Sequence, residues 1–344
     1  MSKTLLVTGG AGFIGHHVID LFLRQTDWNI VTLDRLDYSG NLNRLDDVVR
    51  RYPVETRKRV KVVYGDLRAE VTSLQQNFIG DVDYILHMAA SSHVDRSIED
   101  PMSFVMDNVI GTVNILNFAR KCKNLKRFIY FSTDEVFGPA PGTIVYGERD
   151  RYNSTNPYSA SKAAGEEMCV SFENTYKLPI FITHTMNVFG ERQHPEKFIP
   201  LCIKKARDGE MVRIHADPTK TIPGSRHYIH AKDVAEGLMF ILTQLKDYTY
   251  FEPTGLRVVP KFNLVGPEET DNLQLAKMIA AAQGKEMKYE LTDFHSARPG
   301  HDLRYALDGS LMKSLGWEPK IKFSERIQQV VQWSLANDRW LLEK

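Results

Sequence analysis

Cysteine is scarce in this chain: Cys122, Cys169 and Cys202 are three residues, odd in number and far apart among 344 positions. That usage argues against a disulfide framework and suits reduced thiols in a cytoplasmic protein. None has the spacing of a metal or redox motif, so they read as inert buried thiols and no metal is expected. Charge of one sign is also missing: 44 Lys plus Arg against 43 Asp plus Glu leave a net +1. The chain therefore presents no whole-protein field to nucleic acid or an anionic membrane, and anionic ligands must be held by local clusters. Arg57-Lys58-Arg59 reads as a solvated loop. No apolar stretch reaches the roughly 18 residues of a membrane span. The segment Met1-Ser2-Lys3-Thr4 runs straight into a strand pattern without the apolar core of a signal peptide. Internal repeats and low-complexity tracts are absent as well, which leaves an ordinary large globular chain with a cytoplasmic address.

What is present first is a rhythm. Short apolar runs at 5–7, 30–33, 60–64, 84–86 and 128–131 alternate with amphipathic stretches at 13–24, 101–121 and 159–176. This is the pattern of βαβ units feeding a parallel sheet, with 180–184 as a sixth strand. Beyond Asn187 prolines punctuate shorter elements, which reads as a smaller, interleaved second domain. His227-Tyr228-Ile229-His230 and the helix expected over 233–242 read as one more strand and helix returning to the main sheet.

Gly9-Gly10-Ala11-Gly12-Phe13-Ile14-Gly15 lies between the first strand and the first helix. Glycine there permits a tight turn and close backbone approach to a pyrophosphate, while the helix N-terminus offers free N–H groups. Asp34 ends the next strand about twenty residues on, where a carboxylate can accept from both ribose hydroxyls. It would repel a 2′-phosphate, which favours NAD over NADP, although adjacent Arg35 leaves that choice open. Asp66, in Gly65-Asp66-Leu67, is a weaker candidate that could simply end a strand.

Tyr158-Ser159-Ala160-Ser161-Lys162 sets a phenol and an ammonium four residues apart, on one face of a helix. Lys162 and an oxidised nicotinamide would both favour tyrosinate and bring the phenol toward use as a base. The same spacing also arises by chance in many helices. Thr133-Asp134-Glu135 follows the strand at 128–131 and places two carboxyls at a strand's C-terminal end, where such folds bind ligands. Two carboxyls can serve as acid and base if their surroundings separate their pKa values. The bland reading is a capping threonine with acids in the first turn that follows.

Together these motifs resemble the extended short-chain dehydrogenase/reductase family, and within it the dTDP-glucose 4,6-dehydratases. The resemblance rests on the glycine turn, the Tyr-x-x-x-Lys pair and Ser132-Thr133-Asp134-Glu135-Val136-Phe137-Gly138. It extends to Ala89-Ala90-Ser91-Ser92-His93-Val94-Asp95-Arg96-Ser97, Asn156-Pro157, His194-Pro195-Glu196-Lys197-Phe198-Ile199-Pro200 and Arg298-Pro299-Gly300-His301-Asp302, and so covers essentially the whole chain.

The resemblance implies a Rossmann-type doubly wound α/β sheet with a smaller C-terminal substrate-binding domain. Residues 1–186 with about 224–250 would hold NAD, and about 187–223 with 251–344 the sugar nucleotide. Cofactor contacts would come from Gly9, Gly12, Phe13, Ile14, Gly15, Asp34, Arg35, Asp66, Leu67, Ala89, Ala90, Ser91, Tyr158 and Lys162. Substrate contacts would come from Ser92, Asp95, Asn187, Lys197, His215, Arg226, Asn263, Arg298 and His301. Tyr158 would take the C4 hydroxyl proton as hydride leaves C4 for NAD, with Thr133 orienting the oxygen and Lys162 supporting the tyrosinate. Glu135 would then remove the C5 proton, Asp134 would protonate the departing C6 hydroxyl, and hydride would return to C6.

The implied activity is that of an NAD-dependent lyase that dehydrates a nucleotide-hexose, dTDP-glucose first. The chain departs from that pattern at Gly190-Glu191-Arg192-Gln193-His194, at His215 where an aromatic residue commonly stacks on the base, and in a lengthened 217–224. These differences keep a UDP-sugar substrate open. A 4-epimerase or decarboxylase of the same fold has no evident use for Asp134 and Glu135, and a non-catalytic NAD-binding protein none for the whole set. A homodimer through 101–121 and 159–176 is implied, with Phe104, Val109, Ile110, Val113, Met168 and Phe172 as its apolar surface. His16, where a small residue is usual, reads as pointing to solvent.

Overall fold

A computed structural model describes residues 2–293 and 303–342. Strands β1 (Thr4–Thr8), β2 (Asn29–Asp34), β3 (Val60–Tyr64), β4 (Tyr84–His87), β5 (Arg127–Thr133), β6 (Ile180–Thr185) and β7 (Lys261–Leu264) form one sheet in the order β7-β6-β5-β4-β1-β2-β3. Every pairing in it is parallel. Such a sheet is covered on both faces, which explains why β1, β4 and β6 are buried along almost their whole length. β3 lies at an edge and exposes Val62 and Tyr64. The chain reverses its winding between β1 and β4, and the crevice beyond their C-terminal ends is the expected ligand position.

Helix α1 (Phe13–Gln25) buries Val18, Ile19, Leu21 and Phe22 on one face of the sheet, beside a later helix, α3 (Ala231–Gln244). The opposite face carries α2 (Pro157–Tyr176), which opens with Asn156 as cap, Pro157 in its first turn and a reciprocal capping box with Ser159. It ends at Lys177, whose φ of 59° puts the backbone in the left-handed region. A separate apolar cluster joins helices Phe198–Asp208, Asn272–Ala281 and Phe323–Ala336 beside the parallel pair Val212–Ala216 and Tyr289–Asp293. No helix of the described residues is long and apolar enough to cross a membrane.

Three sequence expectations are corrected here. The segment around Tyr228 does not return to the main sheet: Ser225–His227 pairs antiparallel with Glu269–Asp271, and Ile229–His230 pairs with Val188–Phe189. The seventh strand is instead β7, inside the stretch 251–344 that the sequence gives to the second domain. The helix expected over 101–121 runs without a gap from Pro101 to Ala119, but holds a π-helical turn, Met106–Ile110, between Pro101–Val105 and Gly111–Ala119. His16 is fully buried rather than solvated, because α1 packs against α3 and the 190–192 segment. Its Nδ1 lies 3.2 Å from the Gly12 carbonyl oxygen and its ring 4.0 Å from that of His17.

Candidate active site

A cavity of about 610 Å³ opens at the C-terminal ends of the sheet strands and runs into the second domain. At one end Gly9, Gly12, Phe13, Ile14 and Gly15 line it. A Cβ on Gly9 would fall 2.9 Å from the Ala89 backbone, and one on Gly15 2.4 Å from the Gly9 carbonyl oxygen, so side chains cannot enter this turn. Gly12 caps α1 without any side-chain bond, which leaves the first-turn N–H groups to face an anion. Asp34 accepts from Ala11 N at 3.0 Å and Leu36 N at 2.9 Å, and each oxygen keeps a lone pair for a ribose hydroxyl. These residues fit a dinucleotide.

Arg35, the residue that left the cofactor choice open, is neutralised by its neighbours. Its Nε donates to Asp37 at 2.6 Å, and its two terminal nitrogens to Asp107 at 2.6 and 3.0 Å. Asp66, two residues beyond the end of β3, accepts from Arg68 and lines the cavity. A 2′-phosphate would therefore meet carboxylates and no uncommitted Arg35.

The chemistry-bearing groups converge where β5 ends beside α2. Thr133 Oγ1 donates to Asp134 Oδ1 at 3.0 Å, while Asp134 Oδ2 is buried without a hydrogen-bond partner among the described residues. Asn156, the cap of α2, also donates through Nδ2 to Glu135 Oε2 at 3.1 Å, so one residue starts the helix and holds the carboxylate. Burial, then the Glu135 charge, push the Asp134 carboxyl up to about 7, against the pull of Arg226 and Thr133.

Tyr158 is buried against Phe104, and burial followed by the Glu135 charge raises its phenol above the ordinary value, with Thr133 opposing. Lys162 donates to the Phe131 carbonyl at 2.8 Å beneath the Tyr130 ring, and burial brings it down to about 8. Tyrosinate is thus not favoured by Lys162 alone, and further positive charge is needed.

The family model described as GDP-mannose 4,6 dehydratase matches residues 6–330. The chain belongs to that family. Within it, the chain is 33% identical to a dTDP-glucose 4,6-dehydratase of Salmonella typhimurium over 98% of this chain and 94% of the relative. A crystal structure of a dTDP-glucose 4,6-dehydratase from Streptomyces venezuelae, with NAD bound, is 32% identical over 98% of each chain at a TM-score of 0.82. A UDP-glucuronic acid 4-epimerase structure from Bacillus cereus reaches 0.83 at 22% identity over 97% of this chain and all of the other, and so shares the fold alone.

In this member of the family the cavity gathers all five proposed catalytic residues, every proposed cofactor residue, and Ser92, Asn187, Lys197, His215 and Arg226. Arg226 stacks on Tyr305 at 4.6 Å and donates to the Ser225 and Leu303 carbonyls. Two proposed substrate residues are not in the lining. Asp95 faces His93 at 3.9 Å near the mouth. Asn263 is fully buried in β7, donating to the Tyr146 and Asp308 carbonyls and meeting His184 Nδ1 at 3.1 Å; its amide joins loops to the sheet. Arg298 and His301 lie outside the described residues.

Sequence reasoning missed Asn272, which lines the cavity and accepts from the Tyr228 hydroxyl at 2.7 Å. Its position where a strand turns into a helix was the available signal. It also missed Asp107 and Asn108, set inward by the π-helical turn. Asn108 receives Ser91 N at 2.8 Å and donates to Ser161 Oγ at 2.8 Å.

Proposed function

We propose that this protein is an NAD-dependent 4,6-dehydratase of a nucleotide-activated hexose, with dTDP-glucose the favoured substrate. The observation that carries the reading is the place of Asp134: a buried carboxyl, one oxygen without a hydrogen-bond partner among the described residues, beside Glu135 and the Thr133–Tyr158–Lys162 group. Adjacent carboxyls in unlike surroundings suit an elimination that needs an acid and a base together. The dTDP-glucose dehydratase relatives support the substrate, and the NAD-bound structure supports the cofactor.

NAD, when bound, supplies the oxidised ring that takes hydride from C4 and returns it at C6. Tyr158 accepts the C4 hydroxyl proton once that ring adds its positive charge to that of Lys162, and Thr133 orients the oxygen. Oxidation at C4 makes the C5 proton acidic. Glu135 removes it while Asp134 hands its proton to the departing C6 hydroxyl, and Glu135 gives the proton back to C5 as hydride adds at C6. Arg226, Lys197 and Asn187 face the diphosphate side, with His215 toward the base. Domain roles follow: the seven-stranded sheet serves NAD, and the helical cluster beyond Asn187 serves the sugar nucleotide.

The functional unit is proposed to be a cytoplasmic homodimer. Ile110, at 37% exposed, and the half-buried Val109 support it, whereas Val113 and Met168 pack against the chain's own core and Phe104 and Phe172 are buried in it. Sedimentation at micromolar concentration should give twice the chain mass; a monomer would rule the dimer out. Incubation with dTDP-, UDP-, GDP- and CDP-hexoses, read by mass for loss of one water, tests the activity. Loss from UDP-glucose alone would change the base, and C4 inversion without water loss would make the protein an epimerase.

A further inference from the structure

Glu166 is a carboxylate in the protein interior that no step above uses. It is wholly buried and stands one turn beyond Lys162 on α2, two beyond Tyr158, hence on their face of the helix. Its Oε1 accepts from Ser132 Oγ at 2.5 Å. Its Oε2 meets the Tyr152 hydroxyl, His184 Nε2 at 3.2 Å and Lys261 Nζ at 3.3 Å. Burying an ionised cluster costs more than an apolar core of the same shape, so stability alone is a weak reason for it.

The placement is more informative. Lys162 ties down the Phe131 carbonyl, and Glu166 ties down the Ser132 hydroxyl. Successive turns of α2 thus hold successive residues of β5, and the next three residues are Thr133, Asp134 and Glu135. We propose that Glu166 is a positioning residue for the reaction: a fixed anion behind the Tyr158–Lys162 pair that keeps Lys162 charged and, through Ser132, sets the strand end.

Other titratable groups face Lys162 from each packed element: Tyr158 and Cys169 on α2, Tyr130 on β5 and His87 on β4. Burial raises the two phenols and the thiol and lowers His87 to about 3, so without the charge of a bound dinucleotide all four are neutral at pH 7. Glu166 is different. Burial opposes its ionisation, but His184, Lys261 and Ser132 outweigh that and hold it at about 2. Burial is also what lowers Lys162, and Glu166 is the main influence resisting it.

The proposal rests on the oxidation role given to Tyr158 and Lys162, and the test separates the two. Purified protein with its bound dinucleotide is mixed with dTDP-glucose between pH 6 and 9, and reduction of the bound NAD is followed in a single turnover. Wild type should show a rate that falls as Lys162 loses its proton. Glu166→Gln should move that alkaline limb down by about one pH unit, a rate loss approaching tenfold on the alkaline side, with KM unchanged. Glu166→Asp, which keeps the charge, should restore the limb. Lys261→Met removes a competing cation and should move it up, so the sign of the shift remains readable even if Glu166→Gln does not fold. A limb that stays in place in both Glu166→Gln and Lys261→Met would overturn the positioning role alone. A wild type that never reduces its NAD would overturn the dehydratase reading and this proposal with it.

Discussion

Replacing Asp134 by asparagine separates what this group does for the reaction from what it costs the fold. The side chain is buried, one oxygen accepts from Thr133, and its carboxyl titrates near 7 instead of 3.8. The unfolded chain ionises it near pH 4, the folded protein only near pH 7. The folded-state value is raised, so the stability this group carries is full below about pH 4 and declines as pH rises to about 7. A gap of three units corresponds to about 4 kcal/mol by pH 8. Asparagine keeps the shape and the bond from Thr133 but cannot ionise, so Asp134→Asn should unfold several degrees higher than wild type at pH 8. The difference should close as pH falls toward about 4.

Activity should move the other way. Loss of a positioned acid should slow water elimination by about 10² to 10⁴-fold. In wild type the same titration should lower the elimination rate about tenfold per pH unit above about 7. Thermal unfolding at several pH values, paired with quenched single turnovers, measures both effects. A variant no more stable than wild type at pH 8, or one whose gain is the same at pH 4, would show that the surroundings do not hold Asp134 protonated. The proton-donor role would fall with it.

Glu135→Gln should still reduce bound NAD yet lose C5 exchange and dehydration, by about 10² to 10⁴-fold, when turnover in D₂O is read by mass. Tyr158→Phe should instead suppress the first reduction, so little absorbance from bound NADH appears after mixing. Asn263→Ala should cost about 1–3 kcal/mol of stability by denaturant titration, because two buried carbonyls lose their donor, with no change in KM.

That the proposed catalytic residues share one cavity was legible because they are local in sequence. Tyr158 and Lys162 share a helix face by spacing alone, and Thr133 to Glu135 follow a strand whose apolar run is unmistakable. The glycine turn needed only its flanking strand and helix. Asn263 and Asn272 show where local reading stops. Both are asparagines in short elements of the second half, yet one faces loops behind the sheet and the other the cavity. That difference is set by the pairing of β7 with β6 and of Glu269–Asp271 with Ser225–His227, neither of which local pattern specifies. β7 is only four residues long and includes an asparagine, so its apolar signal was too weak to identify it. The π-helical turn escaped for a related reason: the amphipathic period continues across it, and only the inward bonds of Asp107 and Asn108 reveal the extra residue.

The balanced net charge acquires meaning once the cavity is seen. Asp34, Asp37, Asp66 and Asp107 line its cofactor end, where Arg35 and Arg68 are already bonded to the last three of those carboxylates. Lys197, Arg213 and Arg226 line it from the second domain. Opposed ends of this kind sort two nucleotide ligands by the position of their charge. In the proposed binding mode acidic groups at one end would accept ribose hydroxyls and reject an extra phosphate, while the basic groups at the other would offset a diphosphate. Between them lie Asp134 and Glu135 in unlike surroundings: Asp134 is buried beside Thr133, whereas Glu135 accepts from Asn156. Arg226 pulls on Asp134 without overcoming burial and Glu135, so Asp134 holds its proton to a pH well above the ordinary carboxyl range. A stronger or closer cation there would ionise Asp134 and remove the asymmetry on which elimination depends.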